Sequence, residues 1–170
     1  MLFKKKTSDK SEKTTNTLNN KKMKLAEGLL LRADLIKKIE HLQNRIRPVL
    51  IVSENKQPQE DPVKLLAQLR KAIQDLQYII VRINKTNNET SIDGEGLLME
   101  ALAKRDSLKI LSEKLRTIRQ SAQLSNRDYS NLKTTVDIKN LQIEMDQTGR
   151  AFREIDSKIQ AANWLTELKE

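Results

Sequence analysis

The sequence contains no cysteine and few aromatic residues. The absence of thiols excludes disulfides, thiolate metal sites and a cysteine nucleophile, and it favours a reducing compartment. Because aromatic residues make up 3% of the chain, the core has to be built from Leu, Ile, Val, Met and Ala. Such a core favours packed helices over a sheet sandwich, and the four glycines and three prolines point the same way.

The chain also lacks a long hydrophobic run. No window reaches the roughly 18 consecutive apolar residues that a membrane-spanning helix needs. The opening segment MLFKKKTSDK has three apolar residues before its lysines, so it lacks the hydrophobic stretch of a secretory signal. These two absences predict a cytoplasmic protein without a transmembrane segment.

Positive charge dominates, and it is unevenly distributed. The formal net charge is +9, of which residues 1–22 carry +5, from seven lysines against Asp9 and Glu12. Since this segment has almost nothing apolar to bury, we expect residues 1–22 to form a disordered basic tail. Clustered lysine attracts phosphate whatever its sequence, so one interpretation is a weak, nonspecific contact with nucleic acid or an anionic surface. The alternative is a solubilising tail, or an extension from a translation start upstream of Met23.

Residues 23–170 are expected to form a single helical-bundle domain of four segments. In each segment aliphatic residues recur at steps of three and four, which places them on one stripe of a helix. The predicted stripes are Leu35, Ile39, Leu42 and Ile46 in the first; Leu66, Leu69, Ile73, Leu76, Ile80 and Ile83 in the second; Leu97, Ala101, Leu108, Leu111, Leu115, Ile118 and Ala122 in the third; and Leu141, Met145, Thr148, Phe152, Ile155, Ile159 and Ala162 in the fourth. Each helix would run about 25 residues, or roughly 37 Å.

Several residues mark where these helices begin and end. Pro48 is expected to end the first helix. The second should begin at Pro62 with Asp61 as its N-cap, because an aspartate accepts hydrogen bonds from the free amides of a first turn. Asp137 is the expected N-cap of the fourth helix. Before it, the stretch SNRDYSNLKTTVD is too long for a tight turn, and its LKTTV part predicts a short extended segment.

Four amphipathic helices of similar length predict an all-α fold with long antiparallel helices. They would form either an up-down bundle or a pair of long helical hairpins. Narrow stripes at this spacing are typical of coiled-coil seams, and four of them leave little large apolar surface to fill the centre of a monomer. We therefore expect a homo-oligomer that completes the core.

An up-down topology gathers unusual residues at one end. The first turns of helices one and three would lie beside the last turns of helices two and four. Arg32 takes a position suited to an aliphatic residue, and Asn87 takes the next position of the second stripe. The candidate cluster consists of Glu27, Arg32, Asn84, Thr86, Asn87, Arg105, Asp106, Asn163 and Trp164.

Two interpretations of this cluster are open. A buried charge needs a partner, so Arg32 would pair with Glu27 or Asp106, and the cluster would be a polar plug that fixes the register between helices or subunits. Alternatively, the cluster is a small-molecule or anion site at the mouth of the bundle. In that case Arg32 would clamp the ligand and Trp164 would supply an apolar wall.

Four stretches of the chain carry a resemblance to known proteins. MKLAEGLLLRADLIKKIEHLQNRI, VRINKTNNET, ALAKRDSL and REIDSKIQAANWLTEL occur in this order. Together they resemble a family of uncharacterised bacterial helical proteins, some of which are labelled septicolysin. The resemblance spans Met23 to Glu170 and implies an all-helical, oligomeric protein without an established activity, whose recurring polar positions match the nine residues of the cluster. The septicolysin label implies pore formation.

The residues exclude several kinds of active site. A ferritin-like di-iron bundle needs two Glu-x-x-His pairs, but the chain has one histidine, His41, and Lys38 stands three residues before it. A lone histidine beside the first stripe supports no Ser-His-Asp triad, and DGEG lacks the ending of a phosphate loop. The sequence therefore predicts no metal and no cofactor, and it does not decide whether the protein is an enzyme.

Two classes of function remain. The first is a helical scaffold or interaction protein that acts as a homo-oligomer, with no activity identifiable from the sequence. The second is a bundle with a small-ligand or anion-binding site, which would include a hydrolytic one, at its polar end. Internal pairing of the polar groups would favour the scaffold, whereas anions bound at Arg32 and Arg105 would favour the site.

Overall fold

Four helices account for most of the part of the chain that the computed structural model describes, residues 22–128 and 134–170. They are α1 (Leu25–Ile46), α2 (Pro62–Glu89), α3 (Leu98–Asp128) and α4 (Ile138–Leu165). A 3₁₀ turn, Arg47–Val49, follows α1, and two short antiparallel strands, β1 (Ser91–Ile92) and β2 (Gly96–Leu97), join α2 to α3. The predicted all-α fold is confirmed. Within the described residues, no helix is both long and apolar enough to cross a membrane.

Two of the sequence predictions fall wholly or partly outside the described residues. Residues 1–21 of the predicted tail lie outside them, as do residues 132–133 of the LKTTV segment. Its remaining residues, 134–136, form a bend and not a strand, so the predicted extended segment is wrong over that part.

The ends of the helices follow the predicted capping residues. The Asp61 side chain accepts hydrogen bonds from the amides of Val63 and Lys64, at 2.9 and 3.3 Å. Asp137 does the same for the second and third residues of α4, at 2.8 and 3.2 Å. Both caps satisfy amides that have no partner within the helix, which stabilises the first turn. The α-helical part of α1 ends at Ile46, shortly before Pro48, as predicted.

The helices form two antiparallel hairpins, α1 with α2 and α3 with α4, which meet at one end. We call this the shared end, and it contains the start of α1, the end of α2, the two strands, the start of α3 and the end of α4. All four helices contribute to the core there, through Leu25, Leu35, Ile79, Ile83, Ile92, Leu98, Ala101, Ile155, Ile159 and Leu168. A second core cluster lies within the first hairpin alone: Leu42, Ile46, Val49, Leu65 and Ala72. The chain is therefore the pair of hairpins that the sequence offered as one of two architectures.

The buried stripes of α1 and α4 agree with the sequence, whereas that of α2 is shifted by one residue. The buried residues of α2 are Leu65, Ala72, Ile79, Ile83 and Thr86. Ile73 and Ile80, which the sequence placed in the core, are 48% and 37% exposed. The prediction is wrong at Ile73 and Ile80, because the side facing α1 uses the small side chain of Ala72, which hydrophobic periodicity underrates beside Ile73; the predicted Ile83 is buried.

On α3 the prediction is correct for Ala101 and Leu115, which are buried, but wrong for Leu111 and Ile118. Leu98, Ala101 and Leu115 are its buried apolar residues, whereas Leu111 and Ile118 are 40% and 48% exposed. The helices α2 and α3 therefore each carry a pair of exposed aliphatic residues one heptad apart, whereas Leu66 of α2 packs against the core of the first hairpin. We call Ile73 with Ile80 the α2 stripe, and Leu111 with Ile118 the α3 stripe.

Candidate functional site

A five-residue segment after α4 crosses the ends of the first hairpin. We call this segment, Thr166–Glu170, the strap. The amide of Leu25 donates to the carbonyl of Thr166 at 3.0 Å, and the amide of Leu168 donates to the carbonyl of Met23 at 2.8 Å. These bonds make a short antiparallel bridge between the start of α1 and the strap, so residues far apart in the chain are joined by backbone pairing.

The side chain of Leu168 anchors the strap in the core. Leu168 is 5% exposed and belongs to the cluster to which all four helices contribute. It lies against Gly28 of α1, where a Cβ would come within 3.0 Å of Leu168 Cδ2. A glycine at position 28 therefore permits the close approach of the strap to α1.

Polar side chains of α2 hold the strap from the other side. Thr86 is 0% exposed; its hydroxyl donates to the carbonyl of Arg82 at 2.8 Å and accepts from the amide of Lys169 at 2.9 Å. The Arg82 guanidinium donates to the carbonyls of Lys169 and Leu168, at 2.9 and 3.4 Å, and lies 5.5 Å from the centre of the Tyr78 ring. These polar groups are thereby paired with the backbone of the strap.

Glu95 fixes the second hairpin to the connection between the hairpins. Its carboxylate pairs with Lys104 of α3 at 2.7 Å and with Lys158 of α4 at 2.9 Å, and its side chain is 11% exposed. Lys158 also donates to the carbonyl of Asp93 at 3.3 Å. The turn that presents Glu95 has Gly94 at φ +71°, a left-handed conformation that glycine adopts without strain.

These contacts change the acidity of Glu95. Hydrogen bonds from Lys104 and then from Lys158 lower the pKa of its carboxyl below the usual value, although burial acts in the opposite direction. A lowered pKa means that the Glu95 carboxyl holds its proton less tightly in the folded protein than in the unfolded chain. Folding therefore favours the charged carboxylate. Glu95 therefore stabilises the fold as an anion.

The predicted cluster is only partly assembled. Glu27 accepts from the amide of Lys24 at 2.7 Å, as part of a capping box at the start of α1. Arg105 pairs with its neighbour Asp106 at 2.8 Å and approaches Asp156 of α4 at 3.8 Å. The contacts of Glu27, of Arg105 and of Thr86 are separate from one another, although all three lie at the shared end. Asn87 and Asn163 are half-buried, and Asn84 is exposed.

One expectation about this cluster is wrong. Arg32 is exposed, so its guanidinium stays hydrated and does not need Glu27 or Asp106 as a buried partner. Arg32 lies on the solvent side of α1, since Leu35 farther along the helix is buried in the shared core while residues 30–34 are exposed. Trp164 is 60% exposed, and its role as an apolar wall of a ligand site stays a prediction. Whether the nine residues bind a ligand stays a prediction.

An open groove lies beside the strap. It has a volume of about 880 Å³ and is lined by Lys22, Met23, Arg82, Glu89, Thr90 and the strap residues. Small-molecule pockets are mostly apolar, with a few convergent polar groups, whereas this groove carries charges of both signs. Neither in this groove nor anywhere else in residues 22–128 and 134–170 is a group of three or more His, Asp or Glu side chains placed to hold a metal ion.

Sequence reasoning missed several residues that build this end. Arg82, Glu95, Lys158 and Leu168 were not among the candidates. Local spacing does not single out Glu95, because Lys104 stands nine residues later, beyond the three- or four-residue spacing of helical ion pairs. Nothing in the local sequence indicates that Lys158 is its other partner.

Comparison with known proteins bears on the family. Residues 32–168 match the model of a family of unknown function, DUF6847. The chain belongs to this family. A crystal structure of a functionally unknown conserved protein from Corynebacterium diphtheriae is similar to this DUF6847 protein, with a TM-score of 0.80 and 27% sequence identity, covering 88% of this chain and 100% of that one. None of the curated proteins is a match.

These comparisons confirm part of the resemblance seen in the sequence. The DUF6847 chain belongs to an uncharacterised family and shares its fold with a functionally unknown protein, as expected. Neither description mentions septicolysin. The family membership therefore leaves the activity unidentified, and the function has to be argued from the surfaces.

Proposed function

We propose that this DUF6847 protein is a helical scaffold or interaction protein that acts as a homo-oligomer. The observation that carries the proposal is the exposure of apolar side chains at regular spacing on the inner helices. Ile73, Ile80, Leu111 and Ile118 are 37–48% exposed. Apolar side chains that recur at heptad spacing on the surface of a helix are typical of a face that packs against another helix.

The polar groups at the shared end support the same proposal. Thr86 and Arg82 are paired with the strap, and Glu95 is paired with two lysines. Side chains that already hold helices together have fewer donors and acceptors left for a ligand. The polar plug, and not the ligand clamp, is therefore the better interpretation of this end.

Light scattering on the purified protein tests the proposal. A homo-oligomer should give a mass of at least twice 19.6 kDa at micromolar concentration. The mass should fall toward that of one chain on dilution, because association is governed by mass action. A monomer at every concentration would contradict the proposal.

The groove beside the strap favours an anion site as a second candidate. Lys22 and Arg82 line it, and its volume of about 880 Å³ would accommodate a small ligand. A ligand that binds only the folded state raises the melting temperature. Inorganic phosphate should then stabilise the wild type and stabilise Lys22→Gln less. Equal shifts in both proteins, or none in either, would sink this candidate.

The remaining expectations stay predictions. A contact of residues 1–22 with nucleic acid or an anionic surface rests on their net charge of +5. The cytoplasmic location stays a prediction, and the septicolysin label rests on resemblance alone. For the enzyme question, the best-supported position is that the described surfaces favour binding over chemistry.

A further inference from the structure

The connection between α1 and α2 exposes a run of aliphatic residues. We call this connection, residues 47–61, the tip; it lies at the end of the first hairpin farther from the shared end. Leu50, Ile51 and Val52 are consecutive in the tip, and they are 59%, 89% and 43% exposed. Aliphatic residues scattered singly over a surface are ordinary, whereas three in succession form a patch that marks a contact with a partner.

The tip has a buried anchor just before this run. Val49, the last residue of the 3₁₀ turn, is 8% exposed and belongs to the same core cluster as Leu42 and Ile46. That cluster contains residues of the first hairpin alone, so the tip stands apart from the core that the two hairpins share. After the run, the amide of Lys56 donates to the carbonyl of Ser53 at 2.8 Å, which turns the chain. The aliphatic run is thus held between a buried residue and a turn.

Positive charge is concentrated in the half of the first hairpin that carries the tip. This half, residues 37–75, contains eight Lys and Arg against five Asp and Glu, a net charge of +3. Residues 23–170 as a whole carry +4, because residues 1–22 carry +5 of the total +9. Most of the net charge outside the basic tail therefore lies around the tip.

Ion pairs involve two of the three acidic residues of the tip. Glu60 pairs with Arg45, whose Nε lies 3.1 Å from a carboxylate oxygen. Asp61 caps the first turn of α2 and lies 3.7 Å from Nζ of Lys64. The third acidic residue, Glu54, is exposed. Two of the three carboxylates are therefore balanced by cations of their own helices.

Two exposed cations flank the aliphatic run. Arg47 stands three residues before Leu50, and Lys56 stands four residues after Val52. A lipid surface presents apolar acyl chains beneath its head groups, which are negatively charged where the lipids are anionic. Aliphatic side chains between two cations match both layers of such a surface.

A lipid surface fits the tip better than a folded protein does. A protein would need a cavity shaped to receive three protruding side chains, whereas lipid chains adapt to any shape. The run lies outside the helices and strands, and its backbone polar groups need water or another partner. Because backbone of this kind is not tolerated in the hydrocarbon core, the contact is confined to the head-group region and the adjoining acyl chains.

We propose that the tip inserts Leu50, Ile51 and Val52 into the surface of an anionic lipid bilayer, with Arg47 and Lys56 among the head groups. A few aliphatic side chains and two cations give a reversible contact and not a permanent anchor. The tip lies outside both stripes, so this contact does not depend on the proposed homo-oligomer.

Co-sedimentation of the full chain with vesicles tests the proposal. The wild type should bind vesicles of phosphatidylcholine mixed with phosphatidylserine more tightly than vesicles of phosphatidylcholine alone, and salt should weaken this binding. Leu50→Ser/Ile51→Ser should weaken it roughly tenfold or more, because each CH₂ group withdrawn from lipid lowers the affinity. The matched control is Leu30→Ser/Leu165→Ser, at leucines of the shared end that are 61% and 76% exposed. It should bind like the wild type.

Removal of the two cations separates the electrostatic part of the contact. Arg47→Gln/Lys56→Gln should bind the mixed vesicles roughly tenfold more weakly, since each basic residue near the surface adds to the attraction. Its binding to phosphatidylcholine alone should change little. Lys109→Gln/Lys114→Gln removes the same charge from exposed positions on α3 and should stay within about twofold of the wild type.

A fluorescent label at the tip reports insertion directly. The chain has no cysteine, so Ile51→Cys carries a single environment-sensitive fluorophore. Its emission should shift to the blue when mixed vesicles are added, because the label leaves water. The same label on Leu30→Cys should show no shift.

Each contrary outcome overturns the proposal. A wild type that binds neither kind of vesicle would exclude the lipid surface and leave a protein as the partner of the tip. If Leu50→Ser/Ile51→Ser binds as tightly as the wild type, another part of the chain, such as residues 1–22, carries the contact. Equal losses in this variant and in Leu30→Ser/Leu165→Ser would show that no particular surface is used. A bound protein whose label at position 51 does not shift would show that the tip stays in water.

Discussion

The hydroxyl of Thr86 lies 2.9 Å from the backbone amide of Lys169, whose hydrogen it accepts. Thr86 is 0% exposed, and the same hydroxyl donates to the carbonyl of Arg82. A residue that the sequence places in a candidate binding cluster is therefore paired on both sides with backbone of its own chain. The pairing joins the end of α2 to the strap, and through it to the second hairpin.

Replacement of Thr86 by valine tests this pairing. Thr86→Val keeps the shape of the side chain but leaves the amide of Lys169 without its acceptor. We expect the free energy of unfolding to fall by about 1–3 kcal/mol in a denaturant titration. Thr117→Val is the control, because Thr117 is exposed; it should change stability by about 0.5 kcal/mol or less. Equal effects of the two changes would mean that the strap is not held by Thr86.

Two leucines near the end of the chain are close in sequence but differ in burial, so they allow a buried side chain to be compared with an exposed one. Leu168 is 5% exposed and Leu165 is 76% exposed. Leu168→Ala leaves a cavity in the shared core and should cost about 2–5 kcal/mol, whereas Leu165→Ala should cost about 0.5 kcal/mol or less. Thermal unfolding followed by circular dichroism measures both. A Leu168→Ala variant as stable as Leu165→Ala would show that the strap does not pack as described.

Glu95 predicts a defined pH dependence. Its pKa is lower in the folded protein than the ordinary 4.5, so its stabilising contribution is complete above about pH 4.5 and is lost as the pH falls through the folded value. Glu95→Gln should therefore be less stable than the wild type at pH 7, and the difference should shrink in titrations below pH 4.5. The exposed Glu144→Gln is the control and should change stability by about 0.5 kcal/mol or less at pH 7. A difference that stayed constant from pH 7 to pH 3 would contradict the ion pairs.

Arg32 and Arg105 should respond differently to removal. Arg32 is exposed, so Arg32→Ala should change the free energy of unfolding by about 0.5 kcal/mol or less. The Arg105 side chain is 26% exposed and approaches Asp156, so Arg105→Ala should cost roughly 1 kcal/mol through lost packing of its stem and a weakened ion pair. Urea titration measures the free energy of unfolding of both variants and shows which change costs more. A larger loss for Arg32→Ala would restore the buried-arginine hypothesis.

The success of the sequence predictions depended on how many stripes a helix carries. For α1 and α4 periodicity identified the buried residues, because each helix has one dominant stripe. For α2 periodicity favoured Ile73 over the adjacent Ala72, because a hydrophobic pattern gives a large aliphatic side chain more weight than alanine. Close packing against α1 instead uses the small residue. The caps at Asp61 and Asp137 were predictable because they depend on the next few residues only.

The site was less predictable because its contacts are long-range. Glu95 and Lys158 are 63 residues apart, and Lys169 and Thr86 are 83 apart. Local spacing carries no information about such pairs. The sequence located the right end of the molecule, through Thr86 and Arg105, but assigned a buried role to Arg32, which lies on the solvent side of α1.

The mass of a variant with charged stripes tests the central claim most directly. Ile73→Glu with Leu111→Glu places carboxylates on both exposed stripes, where they cost little in a monomer but would be buried unpaired in the proposed homo-oligomer. Light scattering should give about one chain mass of 19.6 kDa for this variant at a concentration where the wild type gives at least twice that, with unchanged helicity. A variant that keeps the mass of the wild type would contradict the account.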